Sequence, residues 1–179
     1  MVYKFRVILD TEEDIFRDIA IMDSDTLEDL HNAIVNAFGF DGLEIASFYT
    51  CDDEWTQEEE IPLFDTGDVA GEQKTMADYT LGGMLDSEIT KIIYVYDFLN
   101  MWTFFVELAA IEEPEAGVAY PDLLFSHGEV PANAPDKEFG AEDTDDIYSD
   151  FDDDYDEEDF DSFDDDNFTD SGYDDHNWN

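Results

Sequence analysis

The chain has 179 residues, with 51 acids against six Lys and Arg for a formal net charge of −45, yet 43% of it is hydrophobic and 15% aromatic. That length suits one ordinary domain plus a tail. The charge argues against direct binding to nucleic acid or to an anionic membrane surface, since both contacts depend on clustered Lys and Arg.

The opening run, Met1 to Arg6, reads as a strand whose charges come too early for the apolar core of a signal peptide, so a cytoplasmic address is expected. Tyr3, Phe5, Val7 and Leu9 alternate with Lys4, Arg6 and Ile8, the pattern of a half-buried strand. A polar turn from Asp10 to Asp14 leads to a second strand over Ile15 to Met22, and the two should pair as an antiparallel hairpin. Its odd positions are Ile15, Arg17, Ile19 and Ile21, which sets Arg17 in a row of isoleucines.

Leu27, Leu30, Ile34 and Phe38 then repeat at helical spacing. Asp25 and Glu28 have the spacing of a capping box, and Gly39 supplies a left-handed stop. His31 falls on the apolar stripe, where a packed histidine bonded to a carbonyl is the expectation. A third strand is expected over Leu43–Tyr49, then an acidic loop from Cys51 to Glu60 with Trp55 at its middle. A short helix is expected between Thr75 and Leu85, on one side or the other of Gly82-Gly83. Ile89 to Phe98 reads as a central strand, apolar on both faces. A tight turn at Leu99-Asn100 leads to a last strand with Trp102, Phe104, Val106 and Leu108 on one face. Residues to about 140, with Pro121, Pro131 and Pro135, read as loop. The expected class is α+β: an antiparallel sheet of about five strands with one main helix packed on it. The order strand–strand–helix–strand also permits a ubiquitin-like grasp arrangement.

Composition changes near residue 140. Residues 141–179 hold 19 of the 51 acids and none of the bases. This tail has almost no aliphatic residues to offset the ordering entropy of its backbone, so a 1–140 domain and a 141–179 tail disordered when free are expected. Tyr148, Phe151, Tyr155, Phe160, Phe163 and Phe168 follow neither a helical nor a strand period. They suit short linear contacts, each ring entering a shallow pocket while the acids face a basic rim. The bland alternative is a solubilising tail that binds nothing. Mimicry of nucleic acid fits poorly: an extended tail would carry one charge per ~7 Å, against one per ~1.7 Å in duplex DNA. Asp150, Asp152 and Asp154 match three positions of a calcium loop, but Tyr155 stands where Gly belongs and Asp161 where Glu belongs. At most weak calcium binding follows.

No motif carries catalysis. No apolar run nears the ~18 to 20 residues needed to span a bilayer. The single cysteine, Cys51, excludes an internal disulfide and a multi-cysteine zinc site, and its neighbours Asp52, Asp53 and Glu54 suppress its thiolate. His31, His127 and His176 show no metal-ligand spacing, and no nucleotide or cofactor motif occurs. Arg17 is the residue that needs explaining. A buried arginine calls for a carboxylate, and Asp97 in the central strand is the expected partner, forming an ion pair that sets register or anchors a ligand.

Ile15-Phe16-Arg17-Asp18-Ile19, Thr26-Leu27-Glu28-Asp29-Leu30-His31, Ala37-Phe38-Gly39-Phe40 and Tyr94-Val95-Tyr96-Asp97-Phe98 with Trp102 occur in this order, followed by Pro121, Gly128 and Pro131. In that order they resemble the motifs of the plasmid pRiA4b ORF-3-like family: V-W-R-R-I, T-L-x-D-L-H, A-F-G-W, Y-x-Y-D-F-G-D-x-W and P…G…P. The resemblance covers about residues 3 to 135 and leaves out the tail. It implies a compact α+β domain found on plasmids, mobile elements and bacterial chromosomes, and it brings no established activity. The chain departs from the family at Leu99-Asn100, where Gly-Asp is usual, and at Phe104, where a His commonly follows the Trp. It also has Ile45-Ala46-Ser47 where His-Leu usually precedes Phe48. A polar site built from those positions in relatives is largely missing here.

Two functions therefore compete. One is a non-enzymatic binding module whose acidic-aromatic tail engages a basic protein surface. The other is a small ligand-binding domain or enzyme with a polar site around Arg17, His31 and Asp97, Trp102 being a further structural or ligand-anchoring candidate. Adaptation to high salt is a third source of such acidity. Lys4 and Arg6 on the first hairpin are an expected docking face for the tail.

Overall fold

The computed structural model describes residues 1–135. The six tail aromatics and the calcium-like loop at Asp150, Asp152 and Asp154 lie outside the described residues.

Among the described residues, seven strands, β1 (Val2–Leu9), β2 (Phe16–Met22), β3 (Ala46–Cys51), β4 (Gln57–Pro62), β5 (Lys91–Tyr96), β6 (Trp102–Glu112) and β7 (Asp122–His127), form one sheet in the order β4-β3-β5-β6-β1-β2-β7. All neighbours are antiparallel. The α+β class is as expected, but with seven strands in place of about five. The acidic loop after Cys51 is in fact a turn followed by β4, and the late loop region contains β7. Both additions are edge strands. In β4, Glu58, Glu59 and Glu60 are exposed and only Ile61 and Pro62 are buried; in β7 all six residues are exposed. A charged edge resists pairing with another chain, so acids here are compatible with a strand. Because β1 runs antiparallel to β6, the arrangement is not a ubiquitin-like grasp.

Helix α1 (Leu27–Phe38) crosses from the β2 end to the β3 end of the sheet. Its cap lies one residue later than the sequence spacing suggests. Thr26 is the N-cap: its hydroxyl accepts from the Asp29 amide at 3.2 Å, and the Asp29 carboxylate accepts from the Thr26 amide at 2.9 Å. Asp25 instead accepts from the Met22 amide in the preceding turn. Gly39 ends the helix with φ 77°, the left-handed stop. Leu27, Leu30 and Ile34 are fully buried, each contributing roughly 1.5–3 kcal/mol relative to exposure. They face Tyr3, Phe5, Val7 and Leu9 of β1, Ile19 and Ile21 of β2, Tyr94 of β5 and Phe104 of β6, all in one core cluster. A 3-10 turn (Met76–Asp78) and the short α2 (Leu81–Met84) lie on either side of Tyr79, α2 running through Gly82-Gly83. They tie to the start of α1 through Leu27 N–H to Tyr79 O and Leu81 N–H to Asp25 O.

Candidate functional site

Arg17 occupies the expected row: it stands opposite Val7 in β1, between Ile15 and Ile19, and it is buried. Its partners are not as expected. Nε donates to Ala37 O at 3.2 Å, Nη1 to Phe16 O at 2.8 Å and His127 O at 2.9 Å, and Nη2 to Gly128 O at 3.1 Å. No hydrogen bond joins Arg17 to Asp97. Carbonyl dipoles from three elements supply the counter-charge that a carboxylate would have supplied. Ala37 belongs to the last turn of α1, which has no basic residue of its own, so Arg17 provides the cation that a helix C-terminus favours. The guanidinium also sits 5.0 Å from the Phe38 ring centroid. Burial lowers its pKa from the ordinary value.

His31 is sealed in the core, where Nδ1 lies 2.6 Å from the Tyr94 hydroxyl. Its partner is thus a side chain, not a carbonyl. Burial pushes the imidazole down to about 4 and the Tyr94 phenol upward, so both stay neutral near pH 7.

Asp97 closes the turn between β5 and β6. It takes a left-handed conformation, φ 60°, which Asp tolerates better than most residues. Its carboxylate accepts from the Leu99 amide at 3.1 Å and from Asn100 Nδ2 at 2.6 Å. Asn100, a departure from the family pattern, is therefore used to hold this carboxylate.

Asp97 and Trp102 do meet in a concavity. An open cleft of about 520 Å³ lies beyond the C-terminal end of α1, lined by Phe38, Phe40, Tyr96 and Trp102, by Asp41, Glu44 and Asp97, and by the segment 130–132. Phe40 stacks on Tyr96 with centroids 4.7 Å apart and planes 15° apart, and meets Trp102 at 5.1 Å. The Tyr96 hydroxyl donates to Asp41 Oδ1 at 2.8 Å, and the Leu43 amide donates to the same oxygen at 3.0 Å. Those bonds, the amide first, hold the Asp41 carboxyl below its usual range. Among the described residues, the lining contains three acids and no base. Neither Arg17 nor His31 reaches it, so Arg17, His31 and Asp97 do not assemble into one polar site. Sequence reasoning had Asp97 and Trp102 but missed Phe40, Tyr96, Asp41 and Glu44 as a group. The available signal was an aromatic and an acid directly after the helix stop at Gly39.

Cys51 is half-buried, and its thiol pKa is raised by burial first and by Asp52 second. Among the described residues, no three His, Cys, Asp or Glu side chains are grouped to hold a metal ion. No described helix is long and apolar enough to cross a membrane.

Two comparisons bear on this architecture. The family described as plasmid pRiA4b ORF-3-like protein matches residues 1–177, running through the tail and thus well past the expected limit near 135. The crystal structure of a protein of unknown function from Methanosarcina mazei Go1 is similar with a TM-score of 0.63 and 21% identity, over 83% of this chain and 79% of that one. That likeness concerns the fold. A search of curated proteins finds no match.

Proposed function

The chain belongs to the plasmid pRiA4b ORF-3-like family, and we propose that this member is a non-enzymatic binding module for basic protein surfaces. One observation carries the reading: the described cations are all engaged internally. Lys4 pairs with Glu112 at 2.6 Å, and Arg6 grips Asp18 with two bonds of 2.9 Å while lying 4.3 Å from the Phe16 ring. Arg17 is spent on carbonyls. Lys74 lies 5.7 Å from the Tyr79 ring, and Lys91 donates to Asp53 O at 2.9 Å and faces Trp55 at 5.3 Å. Residues 1–135 carry thirty acids; among the described residues only Asp18 and Glu112 face a side-chain cation within ion-pair distance, and Asp23 faces the N-terminal ammonium at 3.1 Å. The uncompensated remainder produces a negative field that attracts a basic partner and repels phosphate.

The same pairing weakens the idea that Lys4 and Arg6 form a docking face for the tail, since carboxylates within the sheet already occupy both. The tail is better suited to an external surface, with its 19 acids adding reach and its aromatics adding short-range contacts. A cytoplasmic location is part of this proposal.

Capture from lysate by the full chain and by a chain ending at residue 140 tests it. Basic proteins should be enriched on the full chain, released as NaCl rises toward ~0.5 M, and reduced on the shorter one. Identical, salt-insensitive partner sets would refute a charge-driven role.

A further inference from the structure

Several rings of this protein attract a cation from its own chain. Phe16, Phe38, Tyr79 and Trp55 each have one of the chain's own cations against the ring, Arg6, Arg17, Lys74 and Lys91 respectively. Of the rings lining the cleft beyond α1, Phe38 already carries Arg17, while Phe40, Tyr96 and Trp102 have no cation among the described residues, although three carboxylates stand around them. Among the described residues, the cleft thus offers cation-attracting rings and carboxylates with no cation on Phe40, Tyr96 or Trp102.

We propose that this cleft, floored by Phe40, Tyr96 and Trp102 and edged by Asp41, Glu44 and Asp97, receives a Lys or Arg side chain from the basic partner. The inference rests on the reading above and names where on the domain that partner is gripped. Aromatic faces attract ammonium and guanidinium groups electrostatically, while the aliphatic stem of such a side chain covers the rings. The carboxylates favour the charged head group, and an aromatic wall on one side reduces the solvent that screens it. An anion is repelled by the same three acids. A purely apolar ligand would strip water from them without replacing it. The nearby Arg17 does not fill the role internally, because its donors are committed to Ala37, Phe16, His127 and Gly128. The site is also preorganised. Phe40 is held against Tyr96, and Asp41 is held by the Tyr96 hydroxyl and the Leu43 amide, so binding needs little reordering.

The test is a titration of the full-length protein at low salt, followed by NMR of the Phe40, Tyr96 and Trp102 ring signals. The probe is a hexapeptide of alternating Arg and Gly; the same peptide with Gln in place of Arg is the control. Two double variants remove the same charge from different places: Asp41→Asn with Glu44→Gln at the cleft, and Glu58→Gln with Glu59→Gln on exposed β4. Expected are saturable shifts of the cleft rings with the Arg peptide alone. Affinity should weaken at least fivefold in the cleft variant and less than twofold in the β4 variant. Binding that maps elsewhere, or that weakens equally in both variants, overturns the cleft assignment and leaves the wider reading standing. No binding of the Arg peptide anywhere overturns both.

Discussion

Arg17 Nε donates to the carbonyl of Ala37 at 3.2 Å, joining the second strand to the last turn of the helix that covers it. The same guanidinium reaches the end of β7 through His127 O and Gly128 O. One side chain thus satisfies acceptors on three elements, with no carboxylate among its hydrogen-bond partners. Arg17→Met keeps the length and apolar stem but leaves these carbonyls without their donor. The expected loss is about 2–4 kcal/mol in urea denaturation, from buried acceptors losing their bonds. Arg17→Lys should recover only part of it, because an ammonium cannot span the same fork of acceptors. A loss within ~0.5 kcal/mol of zero for Arg17→Met, the usual scatter of an unimportant surface change, would refute this role.

Gly128 is the other half of that junction. Its φ is 80°, and a Cβ there would stand 2.7 Å from Asp14 O and 2.9 Å from Ile15 Cγ1. Gly117 has a similar φ of 84° but open space around it. Gly117→Ala should therefore cost only the left-handed penalty, about 1–2 kcal/mol. Gly128→Ala should cost clearly more, because backbone must also move. Equal thermal midpoints for the two variants would show that the close approach to Asp14 is unimportant.

The legible parts of the fold were those where packing imposes a period. Tyr3 to Leu9 and Ile15 to Ile21 alternate because one face of each strand meets the helix, and Leu27 to Phe38 repeat because one stripe meets the sheet. The missed strands lack that imprint. β4 carries Glu58, Glu59 and Glu60 because little of it is buried, and Leu123, Leu124 and Phe125 of β7 lie half exposed beside one another. The misplaced helix cap came from two acids with suitable spacing, Asp25 and Glu28, next to the true pair Thr26 and Asp29. Arg17 was placed in the correct row and given the wrong partner, since backbone carbonyls brought together from distant segments leave no side-chain signature. The cleft was half visible for the same reason: Asp97 and Trp102 flank one turn, whereas Phe40 and Asp41 arrive from the far end of α1.

His31 makes stability depend on pH. Burial lowers its pKa from 6.5 to about 4 in the folded protein, so between these values the unfolded chain binds a proton that the folded one refuses. Stability from the neutral His31 is fully present above ~6.5 and is lost as pH falls toward 4, by about 3 kcal/mol in total. Protonation of the many acids relieves repulsion over part of the same range, so the contribution must be read as a difference. Wild type minus His31→Gln should fall with decreasing pH between 6.5 and 4.5 in urea denaturation. A pH-independent difference would mean that His31 titrates alike in both states.

The thirty acids of residues 1–135, with only Asp18, Asp23 and Glu112 within ion-pair distance of a described cation, make repulsion the dominant long-range term in the folded domain. Folding brings these charges closer together than in the open chain, so screening should help the folded state more. At ~0.01 M salt the screening length is ~30 Å, comparable to a small domain, and at ~1 M it is ~3 Å. The ion pairs Lys4–Glu112 and Arg6–Asp18 are weakened by the same salt, but such partly exposed pairs contribute only ~0–1 kcal/mol each. Repulsion therefore wins, and the thermal midpoint should rise by at least about 5 °C across that range, equivalent to roughly 1 kcal/mol for a domain of this size. A midpoint that stays level would mean the acids are spaced too widely to repel. A domain folded only above ~0.5 M salt would instead favour adaptation to a saline cell over partner binding as the origin of the charge, because electrostatic attraction to a basic surface is largely screened there.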